Sequence, residues 1–358
     1  MKLLLIDIGA GTMDILWYDL KENIHYKIVS PSPVLTISDK IKNSQKDLLI
    51  TGVEMGGGAV THALIEKVRQ GREIIISKSA SKTVHHDPDR VKGRGLIVID
   101  DSKAEDLIGS QRYQHIEFKD IDHEGIKALL RYMGIPLPPE IVGICAQDHG
   151  IPKDGMSHLE FRNHVFKRAL SDSPYPHSLL YERSEIPPFL SRLKSISLCA
   201  EHFGAEEIYV MDSGMAAIMG ACVDPEAYIK RRRLIMDVAT SHTLCATLDG
   251  DELMGFFEYH TVDITTAKIE TLVHRLLDGT LSHREVLSEG GHGAWVRKGI
   301  GIDNPEIMLL TGPKRQILKE SSLSFKYGAP LGDNMMTGTV GLLESIRRKK
   351  GLDPIPLI

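Results

Sequence analysis

Two aspartates end apolar strands in stretches that can be laid over each other without gaps. The first is Asp7 in MKLLLIDIGAGTMDILWYDL, and the second is Asp237 in RLIMDVATSHTLCATLDGDELMGFFEYH, residues 233–260. In that overlay Gly9 falls on Ala239, Gly11 on Ser241, and Asp19 on Asp249 of the DGD turn. A carboxylate at the edge of a buried strand is costly unless water, a hydrogen bond or a cation meets it. Gly9 and Gly11 strip side chains from the turn, so that a ligand can approach the backbone. Phosphate and a metal ion suit such a turn. A tight hairpin whose glycines serve only positive-φ positions would give the same letters. The second copy favours two related domains that face each other.

Another polar cluster follows an apolar run from Glu140 to Ala146: Gln147, Asp148, His149 and Gly150. Open α/β sheets present ligand groups at the carboxyl ends of strands, although a polar loop tip reads the same way. GVEMGGGAVT has no lysine where a phosphate-binding P-loop needs one, so Gly56 to Gly58 either line a cleft or make a structural turn. His85-His86-Asp87 and the sixteen histidines overall raise metal chemistry. Adjacent histidines tend to point apart, and no i, i+4 pair brackets a glutamate, so a solvated loop is expected there. Cys145, Cys199, Cys222 and Cys245 lack zinc-finger or thioredoxin spacing and sit in apolar settings, which reads as reduced and buried. No C-x₃-C-x₂-C triplet is present to hold the cluster of a radical activating enzyme.

The elements that position these groups read as alternating strands and helices. Lys2 to Ile6 is a central strand, followed by a hairpin to about Ser30 and a Pro-Ser-rich turn. DLLITGVEMGGGAVTHALIEKVRQGREIIIS is strand, glycine loop, helix and strand, with Val60, Ala63, Leu64 and Val68 on one helix face. GLIVIDD reads as a buried strand, 122–134 as a helix, and 152–195 as an insertion with a helix at 158–170 and a long loop. From 206, a strand leads into a helix of small residues, Gly214, Ala216, Ala217, Gly220 and Ala221, which permit a close backbone crossing. After the second copy come a helix at about 262–278, the strand and turn of EIMLLTGPKRQIL, and an amphipathic helix with glycines on one side.

Composition allows this organisation. The 358 residues, 42% hydrophobic and 25% charged, suffice for two cored domains. A formal charge of −5, with RRR at 231–233 and RRKK at 347–350 as the densest basic runs, argues against nucleic acid as the main partner. Leu3–Ile8 is too short for a signal peptide or membrane helix, so no membrane partner and a cytoplasmic location are expected.

DIGAGTMD, MDSGMAAIMGA, MDVATSHTLCA, IMLLTGPKR and GDNMMTGTVGLL occur in the order of the first phosphate loop, first connecting helix, second phosphate loop, adenosine loop and second connecting helix of the actin, chaperone and sugar-kinase superfamily. The chain resembles that superfamily over essentially its whole length. DIGAGTMD is also similar to the opening of the hydantoinase and oxoprolinase group, and IVGICAQDHG to the Gly-Gln-x-His-Gly turn near the sugar of carbohydrate kinases. As a whole the chain is similar to a prokaryotic family labelled as a pyruvate formate-lyase activating enzyme, a label that the cysteine spacing does not support.

The resemblance implies an α/β protein with two actin-like ATPase (ribonuclease H-like) domains facing a nucleotide cleft. The first would span 1–205, the second 206–333, and a connecting helix in 334–358 would pack back at their interface. The implied cofactors are ATP and Mg²⁺. Asp7 and Asp237 would hold a partly hydrated Mg²⁺. Gly9, Ala10, Gly11 and Thr12, with Ala239, Thr240, Ser241, His242 and Thr243, would surround the phosphates. Thr311, Gly312 and Pro313 would form the adenosine loop. The second phosphate loop departs from the usual glycines and threonine, and Pro313 replaces the second glycine of a pair. Asp148 would orient the attacking oxygen, with Gln147 and His149 as alternatives. The expected activity is phosphoryl transfer to an unidentified small molecule. The alternative is an ATP-hydrolysing switch, reactivase or chaperone-like, acting on a protein partner.

Overall fold

A computed structural model describes residues 1–152 and 155–355. Residues 153–154 of the expected insertion and 356–358 of the expected C-terminal segment lie outside the described residues. The chain begins with an antiparallel meander, β1 (Lys2–Ile8), β2 (Thr12–Asp19) and β3 (Ile24–Pro31). The aliphatic run of β1 is continuous because both faces are covered: Leu3 and Leu5 enter one core cluster, and Leu4, Ile6 and Ile8 another.

The chain then leaves this sheet. It forms α1 (Pro33–Asn43), β4 (Asp47–Gly52), α2 (Gly58–Arg69), β5 (Ile74–Ser77), β6 (Ile97–Ile99) and β7 (Tyr113–Phe118). These strands make a separate parallel sheet in the order β6-β5-β4-β7, with its own core around Ile41, Leu48, Val60 and Ile76. Within the stretch expected as the first domain the chain thus carries an inserted sheet with a core cluster of its own. GLIVIDD is an edge strand rather than a buried one, and Ile97 is 44% exposed.

Next come α3 (His123–Tyr132), β8 (Ile141–Ala146), α4 (His158–Asp172), β9 (Leu180–Glu182), α5 (Ser191–Ala200) and β10 (Glu207–Asp212). β8, β9 and β10 complete the first sheet in the order β3-β2-β1-β8-β10-β9. The stretch expected as a long loop after 170 thus contributes a strand and a helix. β10 is hydrogen-bonded to β8, so the change of sheet falls after Asp212, beyond the expected boundary at 205/206.

The remainder is α6 (Ser213–Cys222), β11 (Arg232–Val238), β12 (His242–Asp249), β13 (Glu252–His260), α7 (Thr266–Asp278), β14 (Gly293–Val296), β15 (Ile307–Thr311), β16 (Phe325–Tyr327) and α8 (Thr337–Lys349). The second sheet runs β14-β13-β12-β11-β15-β16. Its β13-β12-β11-β15-β16 matches β3-β2-β1-β8-β10 of the first sheet in order and in every strand direction.

Helices α6 and α8 lie between the two sheets and share one core with both, joining Leu3 and Leu5 to Ile235 and Leu309 through Leu342 and Ile346. Small residues let these helices touch. A Cβ on Gly220 would stand 1.9 Å from the Thr337 carbonyl oxygen, and one on Gly341 would stand 1.7 Å from that of Ala216. Among the described residues no helix is long and apolar enough to cross a membrane.

Candidate functional site

The two meanders repeat each other bond for bond at the turn after their first strand. Gly9 N–H donates to Thr12 O at 2.9 Å, and Ala239 N–H to His242 O at 3.0 Å. Ser32 N–H donates to Gly11 O at 3.1 Å, as Thr261 N–H does to Ser241 O at 2.8 Å. The Ser32 hydroxyl donates to Gly9 O at 2.6 Å, and the Thr261 hydroxyl to Ala239 O at 2.8 Å. Gly9 and Gly11 do not have positive φ, so the reading in which they serve only left-handed positions is wrong. They serve close approach instead. A Cβ on Gly11 would meet the Thr240 hydroxyl at 2.8 Å, because the first turn touches the second across the interface of the two sheets.

Behind each turn an aspartate accepts a hydrogen bond from the neighbouring parallel strand. The Cys145 thiol donates to Asp7 at 3.2 Å, and the Thr311 hydroxyl donates to Asp237 at 2.7 Å, each pair being in register. Cys145 is thus buried as expected, but it also contacts a carboxylate. Burial pushes Asp7 up to about 7; the Cys145 bond opposes this, and the negative charges of Asp237 and Asp212 add to it. Asp237 rises to about 6 through burial, against the pull of Thr311 and Arg315. Asp14, opposite Asp7 in the meander and only 5% exposed, reaches about 8 through burial and the Asp7 charge. Its Oδ1 is buried without a hydrogen-bond partner. Gly338 on α8 makes room for the group, since a Cβ there would lie 2.1 Å from Asp7 Oδ2.

The inserted helix α4 delivers a cation to the same interface. A capping box of Ser157 and Glu160 starts the helix, and Phe161, Phe166 and Leu170 bury its inner face. Arg162 sits among them, 4.6 Å from the Phe166 ring centroid, bonded to Asp212 at 2.8 Å and to Glu258 of the second sheet. Gln147 Nε2 donates to the other Glu258 oxygen at 2.6 Å. Burial works against the Glu258 charge, but Arg162 prevails and holds its carboxyl below the ordinary range.

Of the strand-end turn, Gln147 and His149 reach toward the second sheet, whereas the Asp148 carboxylate is taken by backbone. Its oxygens accept from Gly150 N–H at 2.8 Å and Leu193 N–H at 3.0 Å. The His149 ring centroid lies 6.0 Å from that of His292 and 6.5 Å from that of His242. Burial drives His149 well below its ordinary value, and takes His242 down to about 3. Gly312, in the expected adenosine loop with Thr311 and Pro313, has φ of 91°; its N–H donates to Asn334 at 2.8 Å.

The inserted sheet braces this turn. Arg192 grips both Asp120 oxygens at 2.8 and 2.9 Å and donates to the Gln147 carbonyl at 2.7 Å. The Gly56–Gly58 loop packs on the same contact: Gly56 N–H donates to Asp120 at 3.1 Å. His86 bonds Glu54 at 2.8 Å and Ser191 at 3.1 Å, with its side chain 16% exposed, so the solvated-loop expectation does not hold for this histidine.

Sequence reasoning missed Asp14, Arg162, Asp212, Glu258, His260 and His292. Asp212 carried a signal, since it ends a strand as Asp7 and Asp237 do. His260 carried one too, because folding β12 on β13 about the DGD turn sets it opposite His242. Arg162 and Glu258 carried none.

A repeated five-stranded unit, with two connecting helices packed between the copies and an aspartate behind each repeated turn, defines the two-domain actin-like ATPase fold. The chain belongs to the family described as "Putative pyruvate format-lyase activating enzyme (DUF1786)", whose model matches residues 55–317. No curated protein matches it in sequence. Among solved structures, it is similar to the ROK hexokinase from Thermus thermophilus, at 12% identity and a TM-score of 0.35, over 98% of this chain and 100% of that one. The PilM–PilN type IV pilus biogenesis complex gives 13% and 0.37, over 99% of each chain. The activator of 2-hydroxyisocaproyl-CoA dehydratase from Clostridium difficile gives 11% and 0.31, again over 99% of each.

Proposed function

We propose that the protein binds Mg-ATP between the two repeated turns and transfers the terminal phosphoryl group to a small molecule. The observation that carries this reading is the duplication itself: the two turns repeat each other's hydrogen bonds, each has an aspartate behind it, and the turns meet where Gly11 approaches Thr240. Buried carboxylates with raised proton affinity and an unpartnered oxygen on Asp14 fit a divalent cation that reaches them in part through its own water shell. Asp7 and Asp237 would hold it, with Asp14 beside them. Mg²⁺ would neutralise phosphate charge while keeping part of its water shell.

The main-chain N–H groups from Gly9 to Thr12 and from Ala239 to Thr243 would bind phosphate oxygens, as concave rows of amides do. Thr311, Gly312 and Pro313 would border the nucleoside. Gln147 and His149 are the candidates for aligning the attacking oxygen, a task that asks for position more than for acidity. Asp148 is a positioning residue here, fixing the turn through two backbone amides. The working division of the chain is two actin-like lobes joined through α6 and α8, in a cytoplasmic protein.

One observation favours a second reading, an ATP-driven conformational switch acting on a protein partner. Arg162 and Gln147 latch the first domain to Glu258 of the second. Nucleotide entry would part that latch and report occupancy at the surface.

Calorimetry tests the shared premise. Asp7→Ala and Asp237→Ala should each weaken Mg-ATP binding at least tenfold or abolish turnover; wild-type affinity and turnover in both overturn it. Turnover by the pure chain, alone and with a panel of metabolites, then separates the two readings. Stimulation by one compound supports the transferase, and high basal hydrolysis unaffected by the panel supports the switch.

A further inference from the structure

Three histidines of the second sheet meet at the edge of the cleft. His242 opens β12, His260 closes β13 directly opposite it, and His292 precedes β14. His292 is held by its own N–H donating to Glu258 O at 2.8 Å. The ring centroids are 4.7 Å apart for His242 and His292, 4.1 Å for His260 and His292, and 4.8 Å for His242 and His260. One nitrogen from each ring lies within 4.8 Å of the others, the one such group of potential metal ligands among the described residues.

Two of the three rings have a buried nitrogen without a hydrogen bond. His292 is only 8% exposed, and its Nδ1 is buried with nothing bonded to it. His242 Nε2 is likewise buried and unpartnered. An orphaned buried imidazole nitrogen costs free energy unless something fills its lone pair or accepts its proton. Two such nitrogens on rings that meet within this group, with a third ring beside them, describe a coordination site.

We propose that His242, His260 and His292 bind a single first-row divalent ion of the zinc type, with an open coordination position on the side facing His149. Neutral imidazole suits Zn²⁺ and its late first-row neighbours, whereas Mg²⁺ and Ca²⁺ prefer oxygen donors. Nitrogens at tetrahedral angles with bonds of about 2.0–2.1 Å stand roughly 3.3 Å apart, so nitrogens within 4.8 Å of one another need to close by up to about 1.5 Å. Partly exposed His260, at the end of its strand, has the freedom to do that. Three protein ligands leave the fourth place to water or to an oxygen donor of a substrate, the pattern of reactive rather than purely structural zinc sites. The Glu258 carboxylate, 3.8 Å from His292 Nδ1, adds negative charge beside the cation. The imidazoles are not the carboxylates that would hold Mg-ATP, although His242 belongs to the second phosphate turn, and the site stands whether or not nucleotide binds.

The test uses the whole chain, stripped with chelator and dialysed. It should take up one equivalent of Zn²⁺ by calorimetry, and Co²⁺ should give the visible absorption of a four- or five-coordinate nitrogen-ligated ion. His260→Ala and His292→Ala should each weaken uptake by about 100-fold or more, since loss of outer-shell partners alone costs 10–100-fold. Asp7→Ala, which tests the nucleotide site, should leave Zn²⁺ uptake unchanged. Circular dichroism accompanies each variant, and His260→Ala keeps the test valid if the buried His292 cannot be replaced without unfolding. A wild-type chain that takes up neither ion stoichiometrically overturns the site, as does uptake that survives both substitutions.

Discussion

Asp148 illustrates how a residue can be noticed for its place while its partners stay hidden. Its position at the end of β8 was legible in the apolar run of IVGICAQDHG that stops at a polar cluster, but the partners of its carboxylate were not, because Leu193 belongs to a helix far along the chain. Burial raises it from an ordinary 3.8 to about 6, although the Leu193 and Gly150 amides pull the other way. A folded-state value above the unfolded one contributes stability that is complete below pH ~4 and is lost as pH rises through ~6. Asp148→Asn has no such titration and gives up one of two accepting oxygens. The wild type's margin over this variant should therefore shrink between about pH 4.5 and pH 7.5, by at most about 3 kcal/mol for a shift of roughly two units. Urea titrations of both proteins at the two pH values measure this, and a margin that grows with pH contradicts it. Asp7, Asp237 and the turns behind them were readable because a run of aliphatics ending in a carboxylate is unusual twice over. Arg162 and Glu258 look like any other charges on a helix and a strand until α4 is docked.

At the level of elements, the crossing of α6 and α8 is the most exacting contact in the molecule. The small residues of MDSGMAAIMGACV and TGTVGLL announced it, since glycines at one face of a helix have few other uses. Gly341→Ala should gain up to about 1 kcal/mol of helix propensity. It should nonetheless be destabilised by a net of about 1–3 kcal/mol or more, because its Cβ would meet backbone that cannot turn aside. Gly58→Ala at the start of α2, where a Cβ meets nothing within 4 Å, is the matching control and should be neutral or slightly stabilising. Thermal melts of the pair decide between them; equal stability would mean that the helices can part without cost. What the letters withheld was the partner of each strand. β4, α2 and β5 read correctly as an α/β unit, whereas β7 had no reading at all. An aliphatic strand carries no mark of the sheet it joins, and pairing β4 with β7 rather than with β1 creates the third sheet.

For the whole molecule, the family description raises a reaction that the cysteines do not prepare. Cys145, Cys222 and Cys245 are buried free thiols in separate elements, and burial raises all three above their ordinary value, whereas a cluster needs thiolates gathered on one iron site. Protein purified without oxygen should carry no stoichiometric iron–sulfur cluster and should not cleave S-adenosylmethionine. Iron and sulfide analysis checks the first point, and a cluster ligated within one chain would reverse the reading. The inserted sheet has a further consequence, for the ribosome rather than for the cleft. Its strands lie within one continuous stretch that ends at Phe118, whereas Leu3 of β1 must wait for Ile141 and β8 in turn for Glu207. During synthesis the inserted sheet has all its strands first, while the opening meander, though earlier in the chain, has an uncovered β1 edge until β8 emerges. The segment interrupting the first domain is therefore the part of that domain that can finish folding before it.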